Sequence, residues 1–200
     1  MVTNEYDALT LVLSSGYRCQ EIATGVVKME ETVAGLPPQS VSLKFGYKDV
    51  DGFMLYRLED KGANLLQPFF NHNNEDEGTE RKSPRYLVSM CDYMSVCSYK
   101  ENTYVFLYEL KRGKAGDYQK QLKAGECLLH YLCDAIDRIK DYDGISFDRS
   151  VIRVKKFQIK QGKSNKQTIQ PAPSVSGSDG EFFKIETNNE LRLLGLLNER

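Results

Sequence analysis

Glu109 and Lys111 stand two residues apart at the end of the apolar run Tyr104-Val105-Phe106-Leu107-Tyr108. In a β-strand, residues i and i+2 share a face, so this carboxylate and this ammonium point the same way from the rim of a buried strand. An anion and a cation facing together there are costly to hide without a partner or a use. The carboxylate can hold a divalent cation, and the ammonium can offset charge on a phosphate oxygen. The plainer reading is a partly exposed ion pair at a strand end, worth little energy.

The neighbourhood separates these readings. Three Glu-x-Lys tripeptides occur: Glu59-Asp60-Lys61, Glu80-Arg81-Lys82 and Glu109-Leu110-Lys111. The second falls in a charged loop, and the first leads into a loop through Lys61-Gly62. Only the third has an acid one hairpin upstream and a helical stretch downstream. Asp92 precedes Glu109 by 17 residues, room for one strand, the turn Lys100-Glu101-Asn102-Thr103 and one strand back. That hairpin brings Asp92 beside Glu109, and two carboxylates with the Leu110 carbonyl and waters form an oxygen donor set suited to Mg²⁺ or Mn²⁺. Lys111 then reaches the same phosphate.

The elements that must position these residues follow from periodicity and punctuation. Residues 1 to about 31 read as helical: Ala8, Leu9, Val12 and Leu13, then Ile22, Val26 and Met29, recur at helical spacing around a break at Gly16. Gly35-Leu36-Pro37-Pro38 ends this region. Ser40 to Phe45 and Phe53 to Leu58 read as strands joined through the turn signal at Asp49 to Gly52. Glu59 to Ser83 reads as a polar, mobile loop. Arg85 to Tyr99 is extended, and Asp117 is placed to cap a helix running to about Asp141 with the stripe Leu128, Leu132, Ala135, Ile136 and Ile139. Val151 to Ile159 alternates as a strand. Gln161 to Gly180 has a linker's composition. Phe182 to Ile185 and Asn189 to Asn198 read as a closing strand and a leucine-rich helix that packs on the core or on a partner.

Composition bounds the class. A chain of 200 residues, 40% hydrophobic and 28% charged, suits one principal α/β domain over residues 1–160, a linker over 161–180 and a C-terminal element over 181–200. No apolar run has the length of a membrane span, and the N-terminus lacks a basic region followed by an apolar one, so an intracellular, cytoplasmic protein is expected. The cysteines, Cys19, Cys91, Cys97, Cys127 and Cys133, form no Cys-x-x-Cys pair and read as reduced thiols. His72 and His130 are isolated and make no metal cluster. The net charge of −1 is uninformative, but its distribution is not. Arg149, Arg153, Lys155, Lys156, Lys160, Lys163 and Lys166 fall in a stretch without an acid, a candidate track for phosphates. A solvated strand edge is the alternative.

Asp92, Glu109-Leu110-Lys111 and the following helix with Gln119 and Gln121 resemble the PD-(D/E)xK nuclease superfamily, the restriction-endonuclease-like fold. The resemblance implies an αβββαβ core, a mixed sheet flanked by helices, with extra N-terminal strands and a C-terminal strand-helix element. It implies a nuclease, a hydrolase that cleaves DNA, less readily RNA, by metal-activated water. Asp92, Glu109 and the Leu110 carbonyl would hold magnesium or manganese, and Lys111 would stabilise charge. It implies a further metal ligand from the N-terminal glutamates Glu5, Glu21, Glu30 and Glu31, with Glu21 preferred, and a helical glutamine near the site, Gln121 before Gln119. Lys114, Arg153, Lys155, Lys156 and Lys160 would contact the nucleic-acid backbone. A module this small has little surface for reading sequence, so a homodimer or a subunit of a larger complex is expected. Cys91 stands where the motif has proline. The competing class is a non-catalytic module that binds nucleic acid or protein.

Overall fold

The apolar run around Phe106 becomes the middle of a sheet. A computed structural model describes residues 4–13, 15–32, 35, 38–48, 50–60, 63–64, 90–111, 118–162, 168–171 and 181–198. In chain order its elements are α1 (Glu5–Val12), β1 (Glu21–Ala23), β2 (Val26–Glu31), β3 (Gln39–Lys44), β4 (Gly52–Arg57), β5 (Glu59–Asp60), β6 (Ala63–Asn64), β7 (Tyr93–Tyr99) and β8 (Asn102–Lys111). They continue with α2 (Tyr118–Asp143), β9 (Ile152–Gln161), β10 (Thr168–Pro171), β11 (Glu181–Thr187), β12 (Glu190–Arg192) and α3 (Leu193–Asn198). The class is mixed α/β.

Among the described residues a six-stranded mixed sheet runs in the order β10-β11-β9-β8-β7-β4, and a four-stranded mixed sheet in the order β1-β2-β3-β12; β5 and β6 form a separate hairpin. In the larger sheet β8, β9 and β11 are parallel neighbours, while β4, β7 and β8 form an antiparallel meander. Its two faces bury different cores. Val105 and Leu107 of β8 lie with Leu122, Leu129 and Ile136 of α2 and with Ala8 and Leu9 of α1. Phe106, Tyr108 and Leu110 lie with Val27, Met29, Val41 and Leu43 of the smaller sheet. A strand covered on both faces needs apolar residues at nearly every position, which is why β8 reads as a run instead of an alternation.

The N-terminal region departs from expectation. Among the described residues the α-helix covers Glu5–Val12, followed by a 3-10 turn at Ser15–Tyr17; the Asn4 side chain caps the α-helix, accepting from Asp7 N at 2.8 Å. Residues 21–31 form a hairpin instead, turning at Gly25 with φ +69°. In β2 the alternation wins: Val27 and Met29 are buried, while Val26, Lys28 and Glu30 are not. Ile22, counted on the helical stripe, is exposed. The strands near 40–45 and 53–58 exist, but β3 and β4 do not pair; they enter different sheets. The β7–β8 hairpin pairs antiparallel as expected, with Lys100 at φ +55° in its turn.

The stretch expected as a linker contains β10, and the C-terminal element is built into the core. β11 joins the larger sheet, β12 the smaller, and Leu191, Leu193, Leu196 and Leu197 are buried. The loop over 65–89 with His72, the Asp117 cap, and residues 163–167 and 172–180 lie outside the described residues.

Helix α2 meets the sheet closely at Gly125, where an added Cβ would lie 2.4 Å from Cys91 Sγ. Replacing Gly by Ala inside a helix gains about 1 kcal/mol in propensity, whereas overpacking a core costs about 1–3 kcal/mol. Gly125→Ala is therefore expected to lower stability in urea denaturation, and Gly125→Ala with Cys91→Ala to recover it. A more stable single variant would refute this account of the helix–strand contact.

Candidate active site at the carboxyl ends of the parallel strands

The carboxyl ends of parallel strands are where open α/β sheets place ligands, and here β8, β9 and β11 end in polar residues. Register sets Glu109 beside Gln158 and Gln158 beside Lys184; one step on, Lys111 lies beside Lys160 and Lys160 beside Glu186. All share the face covered by α2, because Leu107, Lys156 and Phe182, one step back in the same columns, meet that helix. Tyr118 in its first turn lies near the row, with Lys184 Nζ 6.0 Å from the ring centroid. The strands are apolar through the core and change to polar side chains where they leave it.

Asp92 joins from the antiparallel side. Tyr93 against Tyr108 is the last paired step, and Asp92, one residue before it, lies near the Glu109–Lys111 end of β8, close enough for its charge to act on Lys111. Asp92 is held from both sides: its carbonyl accepts from Leu58 N at 2.9 Å and its Oδ2 accepts from Leu110 N at 2.6 Å. Leu110 turns its N–H, and with it its carbonyl, toward β7, while its side chain enters the core between the sheets.

The Glu109 side chain is 1% exposed and its Oε1 lies 2.5 Å from Lys111 Nζ, whose side chain is 19% exposed. Burial pulls the Lys111 ammonium downward, but the charge of Glu109, the hydrogen bond to it, and the charges of Asp92 and Glu31 outweigh that, so its pKa is raised. Lys111 is thus a fixed cation at neutral pH and does not serve as a base. The shift also fixes a sign for stability: the contribution from the Lys111 charge is present below the ordinary lysine pKa and is lost as pH rises through the raised one.

Of the N-terminal glutamates, Glu31 is the one whose charge acts on Lys111. It ends β2, whose neighbour Glu30 accepts from Tyr93 Oη through its carbonyl at 3.0 Å and donates to it through its N–H at 2.7 Å. Glu21, the preferred ligand, is elsewhere. It pairs with Val27, four residues or about 13 Å of strand from Glu31. Its carboxylate accepts from the Tyr47 hydroxyl and from Gly25 N, and these bonds lower its pKa. The misreading of 21–31 as helix is the cause.

The basic stretch divides in three. Lys156 is fully buried and ion-paired to Glu126 of α2 at 2.6 Å; Lys155 is buried, donating to the Leu196 carbonyl at 3.1 Å. Neither can meet a nucleic-acid backbone. Arg153 pairs with Tyr104 at the far end of the strands, and its guanidinium donates to Ser150 O. Lys160 is the residue of this stretch that stands exposed in the polar row. Lys114 lies outside the described residues. Gln121 is half-buried one helical turn before Gly125, hence on the side of α2 that meets Cys91, next to Asp92.

Gln158 and Lys184 escape a reading from sequence. The alternation of residues 151–159 sets Gln158 on the face of Ile152 and Val154, but only the order of strands shows that Glu109 is beside it.

A divalent cation would find two carboxylates, Asp92 and Glu109, beside a backbone carbonyl and the Lys111 cation. That set fits Mg²⁺ or Mn²⁺, which commonly take one or two carboxylates and complete their shell with water and substrate oxygens. Among the described residues no group of three His, Cys, Asp or Glu side chains is gathered closely enough for an all-protein cage. No helix among them is long and apolar enough to cross a membrane. In comparisons with protein-family models, curated proteins and solved structures, nothing matches this chain.

The Glu126–Lys156 pair lies one row behind the site and ties α2 to β9. Breaking a buried pair from one side costs about 3–5 kcal/mol, while replacing both charges with apolar groups is often neutral. Lys156→Met is expected to show that loss in urea denaturation, and Lys156→Met with Glu126→Leu to regain most of it. Equal losses in the single and double variants would refute the pairing.

Proposed function

We propose that this protein is a divalent-metal-dependent nuclease of the restriction-endonuclease-like type, hydrolysing phosphodiester bonds in DNA in preference to RNA. The observation that carries the reading is Asp92 at the end of β8, its Oδ2 on Leu110 N and its charge acting on Lys111, which is paired with Glu109. The order α1, β4, β7, β8, α2, β9 supports it: a helix, an antiparallel meander of three strands, a helix and a parallel strand beside the last of the three follow the αβββαβ pattern. On this reading the smaller sheet and the C-terminal elements are additions to that core.

Asp92 and Glu109 would hold the cation, with the Leu110 carbonyl turned to the same side. The cation supplies Lewis acidity that makes water nucleophilic at neutral pH and offsets phosphate charge. Lys111, held protonated, steadies the developing negative charge on the phosphate; Lys160 sits one strand away for the backbone. In hydrolysis a bond forms between the water oxygen and phosphorus, the bond to the leaving oxygen breaks, and the water's protons pass to solvent and to that oxygen. A homodimer or a larger complex would extend the small binding surface.

A second reading has its own observation. Lys111 already occupies Oε1 of Glu109, so the pair can serve as a closed structural ion pair in a module that only binds nucleic acid or protein. The two part in one experiment. The nuclease reading expects cleavage of DNA with Mg²⁺ or Mn²⁺, abolished by EDTA and lowered at least about 10²-fold by Glu109→Gln or Lys111→Ala. Binding that survives both substitutions, with no cleavage under either metal, would leave the binding module standing.

A further inference from the structure

We propose that Gln158 and Lys184 are substrate-binding residues of this site, the Gln158 amide donating to an oxygen of the phosphate being cleaved and Lys184 holding a neighbouring phosphate of the same strand. The inference rests on the nuclease reading and extends it to residues on two further strands.

Register carries it. Glu109, Gln158 and Lys184 occupy one row across β8, β9 and β11, with side chains on the α2 face. Adjacent strands are about 4.8 Å apart, so Gln158 is one spacing from Glu109 and Lys184 about 9.6 Å. Gln158 is 7% exposed. The row behind shows what the sheet takes when packing alone decides, Leu107 and Phe182 with a lysine neutralised by Glu126. A polar amide in the row of Glu109 is placed to meet a partner that arrives from solution.

The chemistry identifies that partner. An amide N–H₂ beside a carboxylate and an ammonium donates to an anionic oxygen. Lys184 is exposed, its ammonium 6.0 Å from the Tyr118 ring centroid, and Lys160 stands in the next row beside Glu186. Lys111, Lys160 and Lys184 thus set a line of cations beside the paired acids, suited to consecutive phosphates rather than to one small anion.

The test uses the full chain with fluorescein-labelled DNA oligonucleotides, single- and double-stranded. Cleavage is followed in Mn²⁺, binding in Ca²⁺, and Mn²⁺ affinity by calorimetry. Gln158→Leu is expected to lower kcat at least tenfold while Mn²⁺ affinity stays within twofold, since the amide touches phosphate and not metal. Lys184→Ala is expected to raise KM about fivefold and to reduce the slope of log affinity against log salt by about 0.7–0.9, one phosphate contact, and Lys184→Arg to restore both. Gln158→Glu, which keeps shape but repels phosphate, serves if the leucine variant fails to fold, and it too is expected to lose cleavage. If wild type cuts, Glu109→Gln does not, and both Gln158→Leu and Lys184→Ala cut like wild type, this inference falls while the nuclease reading stands. A wild-type chain that neither cuts DNA nor binds Mn²⁺ overturns the reading and this inference with it.

Discussion

The register of the β7–β8 hairpin is the constraint on which the site depends. Its turn is short, Tyr99 pairing with Asn102, and the count from there puts Tyr93 against Tyr108, which sets Asp92 near the Glu109–Lys111 end of β8. A slip of one residue would turn Glu109 and Lys111 into the core between the sheets and expel Phe106 and Tyr108 from it. The aromatic packing forbids that slip. Phe106 and Tyr108 each lie against Phe157, at 5.7 and 5.8 Å between centroids, and Phe157 lies against Phe183 at 5.4 Å. The core on one face of the sheet therefore fixes the charges on the other.

Charges are buried in two ways around this frame, with different consequences. Lys156 and Glu126 neutralise each other inside the helix–sheet interface and leave nothing for a ligand. Lys155 on the opposite face satisfies the Leu196 carbonyl at the end of α3, so a basic residue closes the C-terminal helix onto the sheet. Glu109 and Lys111 differ in position, at the strand end with the lysine partly open. A pair at the rim can exchange partners; a pair behind it cannot without breaking the interface.

What was legible in the chain was local. The β7–β8 hairpin and the long helix rest on contacts within a few residues or on one helical period, and sequence carries these directly. The fates of Lys155 and Lys156 depend on residues 41 and 30 positions away, in α3 and α2, and no alternation within β9 reveals them. The same gap hid Gln158 and Lys184, which become neighbours of Glu109 only through parallel pairing across crossovers. The N-terminal error was of another kind. Ile22, Val26 and Met29 satisfy a helical count, but Val26-Val27 and the turn at Gly25 favour strand, and packing of Val27 and Met29 between the sheets decided it.

On the proposed reading, the polar end of the sheet works as an exchange. Without a ligand, Lys111 balances Glu109, and Asp92 is stabilised by the Leu110 N–H. Asp92 and Glu109 would hold and neutralise a divalent cation there, and the Lys111 ammonium would then be free of Glu109. The released ammonium then needs an anion, and a phosphodiester with one negative charge supplies it. Metal and substrate thus favour one another, because each completes a balance that the other alone upsets. A site of this design holds its lysine charged before substrate arrives, which is the direction of the Lys111 shift.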